Sequence, residues 1–228
     1  MGEKRIQAKS EVLKEQLVKT SRLLHRIGYV AGSEGNISVR ISENFILVKA
    51  ADATSRMIGP ADFVRVDIAS VASGELAPKP SSELPLHQAI YTARKDIKAI
   101  IHSHPGHTIT ASSFLDCLRM VEPSKKISEV PVIRGYKPGS IDLANAVASQ
   151  FENTDVKAVI LERHGLVTTG DTLEEAFDLT QVIEKNACEW ETLHIHEMIN
   201  SIAKHVEGIE RELLSLRKPK HRPQKQRR

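Results

Sequence analysis

Two rhythms of hydrophobic and polar positions alternate along this chain. From about Ala8 to Ile27, the residues Val12, Leu13, Leu17, Leu24 and Ile27 fall near helical spacing. That predicts an amphipathic first helix, with Gly28 as its stop. Ala31 to Arg40 is a glycine-rich turn feeding a short strand. Phe45–Val48 reads as a buried strand, and Phe63–Ile68 alternates as a half-buried strand does. Between Val71 and Pro80 the chain is turn-rich, and Ser82–Pro85 opens a helix to about Arg94 with Leu86, Ala89 and Ile90 as its stripe. Ala99–Ser103 and Ala158–Leu161 are apolar strands, and Val130–Ile133 is a shorter one. Helices are expected over Thr108–Leu118 and Ile141–Phe151. The last pattern, Leu173 to about Leu216, is helical with Phe177, Ile183, Trp190, Leu193, Ile199, Ile202 and Ile209 as markers. At that length it is expected to break at least once. A single domain over residues 1–216 and a basic, disordered tail over 217–228 follow from this pattern.

Composition places the chain among ordinary globular proteins: 228 residues, 40% hydrophobic, are enough to bury a core without disulfides. The apolar runs fall short of the ~20 residues of a membrane span, and the charged N-terminus lacks the apolar core of a secretory signal. Two isolated cysteines, Cys117 and Cys188, suit free thiols in a reducing, cytoplasmic setting. The net charge of +3 misleads, because seven Lys or Arg residues crowd into Arg217–Arg228. The remainder carries 25 basic against 29 acidic residues, a net −4 that argues against nucleic acid as a partner.

Chemistry enters at Ile100-Ile101-His102-Ser103-His104-Pro105. On a strand, residues i and i+2 share a face, so His102 and His104 would present two imidazoles to one cavity. Glu83 lies upstream in Pro80-Ser81-Ser82-Glu83, and His164 ends the second apolar strand in Arg163-His164-Gly165-Leu166. Imidazole and carboxylate suit zinc, with Co²⁺, Mn²⁺ and Fe²⁺ compatible by ligand type. Three protein ligands with one open position mark a catalytic site. Each histidine taken singly reads equally as a surface or hydrogen-bonded residue, so spacing alone leaves both readings open. His107, past Pro105-Gly106, is expected to leave the strand line. His25, His87, His194, His196, His205 and His221 read as surface or packing residues. Gly35-Asn36 sits in a turn that can cradle an anion with exposed N–H groups, although it reads first as a mere strand entry.

Gly35-Asn36-Ile37-Ser38, Pro80-Ser81-Ser82-Glu83-Leu84-Pro85-Leu86-His87, His102-Ser103-His104-Pro105 and Arg163-His164-Gly165-Leu166 occur in this order. With those spacings the chain resembles the class II aldolase/adducin family over about residues 8–200. The resemblance implies an α/β fold, three-layer α/β/α around a central, mostly antiparallel sheet, assembled as a homotetramer. It implies zinc or another divalent metal on His102, His104 and His164. Glu83 becomes the acid/base, able also to ligate the metal, and Asn36, Ser81 and Ser82 match the phosphate pocket beside Gly35. The implied substrate is a small phosphorylated sugar, and the implied activities are aldolase, epimerase and dehydratase.

Retro-aldol cleavage leaves an enediolate whose charge a metal stabilises, while Glu83 moves the proton at carbon. Two departures qualify this expectation. Where family aldolases carry Thr or Ser then Gly for phosphate, this chain has Ala51 and Asp52, and a carboxylate beside phosphate is unfavourable unless Lys49 or Arg56 neutralises it. Thr54 and Ser55 are the nearest substitutes. Tyr136 is the only tyrosine beyond His104, and it does not align with the tyrosines that protonate the leaving aldehyde. An aldolase-type lyase is therefore expected first. An epimerase, dehydratase or decarboxylase with the same metal comes next, and a non-enzymatic adducin-like interaction domain last. A scaffold has no physical need for Glu83 and three histidines.

Overall fold

A computed structural model of the protein describes residues 2–70, 77–124 and 127–216. Part of the turn-rich Val71–Pro80 segment and the whole basic tail thus lie outside the described residues. The elements run α1 (Gly2–Arg26), β1 (Asn36–Arg40), β2 (Phe45–Lys49), β3 (Phe63–Asp67), α2 (Leu84–Ala93), β4 (Ala99–Ser103) and α3 (Gly106–Ser112). Then come β5 (Cys117–Ser124), β6 (Ile127–Ile133), α4 (Ile141–Phe151), β7 (Ala158–Leu161), β8 (Gly165–Gly170) and α5 (Leu173–Leu216). By packing, the chain falls into two units that meet between Glu189 and Trp190.

In the first unit the strands form one sheet in the order β3-β2-β1-β4-β8-β7-β6-β5. Only β6 and β7 pair in parallel; the other neighbours are antiparallel. Side chains alternate across this sheet, so it has two apolar faces. Ile46, Val48, Ile100, Val159 and Val167 pack with Leu84, Leu86 and Ile90 of α2 and Leu143, Val147 and Phe151 of α4. On the other face Ile37, Val39, Leu47 and Ile101 meet Leu17, Val18 and Leu24 of α1 and Leu173, Ala176 and Phe177 of α5. The architecture is the expected α/β, three-layer, mostly antiparallel one.

Three local expectations need correction. The helix expected over Thr108–Leu118 ends at Ser112, and Cys117 and Leu118 open β5 instead, paired with Pro131 and Val130. Cross-strand pairing, a long-range effect, overrides the local pattern there. Gly165–Gly170 forms β8, whose glycines and threonines gave no strand signal; pairing with β4 on one side and β7 on the other holds it. Lastly, α5 runs unbroken from Leu173 to Leu216.

Candidate metal centre

The site is built where β4, β1 and β8 run side by side. Asn36 pairs with His102 across β1–β4, and His102 with Val167 across β4–β8. His102 is fully buried. Its Nδ1 lies 3.1 Å from the Leu166 carbonyl oxygen, which can only accept, so Nδ1 carries the proton. Nε2 is thereby left with its lone pair aimed into the site.

His104 follows the strand, its backbone N–H donating to the Tyr29 carbonyl at 2.7 Å. Its Nδ1 lies 3.5 Å from the Glu34 carboxylate, and its Nε2 3.1 Å from Nε2 of His102. His164 closes the turn between β7 and β8, preceded by Arg163 in the left-handed region (φ 54°). The Arg163 N–H donates to Ser112 Oγ at 2.8 Å, which pins that turn. The three imidazole centroids are 4.9, 4.9 and 5.3 Å apart. One ligand nitrogen from each lies within 4.8 Å of the others. Gly165 makes this approach possible: a Cβ there would meet the Ser103 carbonyl at 2.5 Å, His104 Cδ2 at 2.8 Å and His102 Cε1 at 2.9 Å.

Glu83 occupies the N-cap of α2, but its side chain makes no cap bond and turns into the site. Its Oε2 accepts from Asn36 Nδ2 at 2.8 Å and lies 3.0 Å from His102 Nε2. Its Oε1 is 3.6 Å from His164 Nε2 and buried without a hydrogen bond. Burial by itself would raise the Glu83 carboxyl. Its contacts with His102, the Asn36 amide and His164 outweigh it and hold the group well below the usual carboxylate range. Burial first, then the neighbouring imidazoles, pushes His104 down to about 4 and lowers His164. Both shifts favour the neutral rings of His104 and His164. Lone pairs of three imidazoles therefore converge beside an ionised carboxylate, with one carboxylate oxygen unsatisfied. A divalent cation fits that donor set, with His102, His104 and His164 holding it and Glu83 at its flank.

Beneath this floor runs a buried relay that sequence reading missed. His87, expected on the surface or in packing, is fully buried on α2 and hydrogen-bonds Asn36 Oδ1 through Nε2. A carboxylate only accepts, so the Asn36 amide must turn its NH₂ to Glu83 and its oxygen to His87. His87 Nε2 then carries the proton. Its Nδ1 accepts from Ser38 Oγ at 2.7 Å, and Ser38 accepts from the Tyr91 hydroxyl at 3.0 Å. Burial keeps His87 neutral, pushed down to about 3, and keeps Tyr91 protonated. Each donor along Tyr91, Ser38, His87, Asn36 and Glu83 has one direction. Spacing offered a clue, since Glu83 and His87 are four apart and share a helix face.

A cavity of about 440 Å³ opens above. Gly35, Asn36, Ser81, Ser82, Glu83, His104 and His164 all line it, with Glu34 and Ala51 beside them. The expected site residues are thus brought together, with His102 just behind the wall. Asp52 is not among the lining residues; Ala51 is. Lys49 is buried and donates to the carbonyls of Ser33, Glu34 and Gly35 at 2.8, 3.1 and 2.7 Å. It staples the glycine turn from below instead of neutralising Asp52. Tyr136 is exposed and lines a neighbouring cavity with Pro138, Arg163 and His164. His107 stands at the start of α3, where its N–H donates to Glu184.

The family described as "Class II Aldolase and Adducin N-terminal domain" matches residues 15–191. A 3-oxo-tetronate 4-phosphate decarboxylase of Haemophilus influenzae is 33% identical, over 76% of this chain and 84% of its own length. An L-fuculose phosphate aldolase of Methanococcus vannielii is also 33% identical, over 76% of this chain and 92% of its own. Among solved structures, a putative aldolase/epimerase/decarboxylase of Klebsiella pneumoniae superposes with a TM-score of 0.71. It is 29% identical and covers 81% of this chain and 90% of that one. This chain belongs to the class II aldolase/adducin family, and it is an enzyme of that superfamily. Among the described residues no helix is long and apolar enough to cross a membrane.

Proposed function

We propose that the protein is a metal-dependent lyase that cleaves a small ketose phosphate by retro-aldol chemistry. The observation that carries this reading is Glu83, an ionised, buried carboxylate set against three converging imidazoles at the floor of a polar cavity. A divalent metal on His102, His104 and His164, zinc by ligand type, would supply a Lewis acid for charge developing on substrate oxygens. Glu83 would move the proton at the substrate carbon. Asn36 would hold Glu83 in place through its Nδ2 while its backbone borders the cavity. Ser81, Ser82 and the Gly35 turn would hold the phosphate.

Purified protein incubated with a panel of ketose 1-phosphates should release an aldehyde and dihydroxyacetone phosphate in proportion to bound metal. Full turnover by Glu83→Ala would remove this mechanism.

A second reading, a decarboxylase on a small sugar phosphate, is supported by the 33% identity to the Haemophilus decarboxylase. Release of CO₂ from a 3-oxo sugar-acid phosphate without aldehyde from any ketose would select it. We further infer a cytoplasmic homotetramer, supported by the family resemblance and, for the compartment, by the two free cysteines.

A further inference from the structure

The second unit carries a surface that the family match, which ends at residue 191, does not include. From Leu193 to Leu216 every residue of α5 is exposed. Within that stretch Ile195, Ile199, Ile202, Val206, Ile209, Leu213 and Leu216 recur at spacings of four and three without interruption. They are 47, 56, 58, 48, 48, 54 and 76% exposed. Such a run is a heptad seam, with Ile199, Val206 and Leu213 at a and Ile195, Ile202, Ile209 and Leu216 at d. The far side is mostly polar, with Glu207 and Arg211 paired one turn apart at 3.5 Å. Most helical stability in proteins comes from packing an amphipathic face, which this stretch does not have in the single chain, and Gly208 weakens it intrinsically.

We propose that this seam is covered by further copies of the same chain, aligned in parallel as a coiled coil over Ile195–Leu216. The seam complements itself, since it has no charged or polar a or d position. In a parallel pair each g residue faces the e residue five places on in its neighbour. His205 at g thus meets Glu210 at e, and in sequence Glu212 at g is followed five places on by the basic Arg217.

The area is sufficient. At roughly 60–120 Å² per apolar side chain, seven residues bury about 400–800 Å² per copy. That approaches the roughly 800 Å² per partner of a stable interface. Isoleucine fills three of the four d positions, and Ile199 and Leu213 stand at a, a pattern that favours three or four strands over two. The basic tails would repel at one end, but that repulsion is screened beyond about 8 Å at physiological salt.

The inference does not rest on the proposed reaction, and its test needs no substrate. In the full-length chain with Cys117→Ser and Cys188→Ser, one cysteine is placed at the d position (Ile209→Cys) or at the outer f position (Lys204→Cys). Mild oxidation at micromolar protein should give a covalent dimer of the first and at least tenfold less of the second. Adding Ile202→Lys to Ile209→Cys should lower its cross-linking at least tenfold. A spin label on Lys204→Cys, which leaves the seam intact, should show a narrow set of intermolecular distances that Ile202→Lys removes. Equal cross-linking at both positions, no cross-linking at position 209, or indifference to Ile202→Lys would overturn the proposal. So would a seam that cross-links only to a different protein.

Discussion

The floor of the site and its rim obey different physics. At the floor, His102, Glu83, Asn36, His87 and Ser38 are buried, and hydrogen bonds fix the direction of nearly every donor. At the rim, Glu34, Ser82 and Tyr136 are exposed, and the exposed Asp52 is not among the residues that line the cavity. Burial in low dielectric makes each floor contact costly to leave unmade, which holds geometry for proton transfer. The solvated rim makes contacts that are individually weak and replaceable, which suits discrimination among substrates.

The largest expected effect tests the floor directly. Glu83→Ala should lower kcat by about 10²–10⁴ while metal content, read by plasma emission, stays within about tenfold. If kcat falls no further than it does for Ser82→Ala, the floor is not special.

Gly165→Ala should come next. Its new Cβ would press on the Ser103 carbonyl and on two imidazoles. We expect weakened metal binding by titration and a stability loss of roughly 1–3 kcal/mol by urea denaturation.

His87→Leu should cost about 10–100-fold in activity, because Asn36 would lose the partner that orients its amide. His87→Gln offers a donor and an acceptor and should restore part of kcat with KM unchanged. Equal loss in both variants would reduce the relay to packing.

Acid should destabilise the metal-free protein. His87 and His104 titrate lower in the folded state, to about 3 and about 4, than their ordinary 6.5. Below pH 6.5 the unfolded chain takes up protons that the folded chain refuses, so stability falls with pH. Glu83, also depressed, adds to the loss as pH falls below its ordinary 4.5. Denaturation midpoints between pH 8 and 5 should therefore decline, and a flat profile would contradict the burial of these rings.

The smallest effect belongs to the rim. Asp52→Asn should change KM for a phosphorylated substrate by less than about threefold, because Ala51 and not Asp52 borders the cavity. A tenfold fall in KM would bring that carboxylate back into the phosphate pocket.

Much of this was legible in the chain because it is local. His102 and His104 sit two apart at the end of an apolar strand, and Glu83 directly precedes a Pro-marked helix. The period of two and the helix-start signal together place these groups. His87 stayed open between surface and packing because burial is a property of the packed α2–sheet layer, and a helical histidine looks alike whether it faces solvent or core. Glu34 and the Leu166 carbonyl escaped notice for a related reason, since an orienting hydrogen bond is made across the sheet. Likewise β8 has the composition of a loop, and two neighbouring strands alone make it a strand.

By itself, then, the sequence determined most of the periodic elements, the identity of the donor groups and the helical character of Leu173–Leu216, because each is written in spacings of two to four residues. Tertiary structure decided which lone pairs converge, which proton each imidazole carries, and that Ala51 takes the place beside the cavity. Those depend on close contacts between residues far apart in sequence, as from His102 to Leu166 at 3.1 Å and from Glu83 to His164 at 3.6 Å, and no local pattern encodes them.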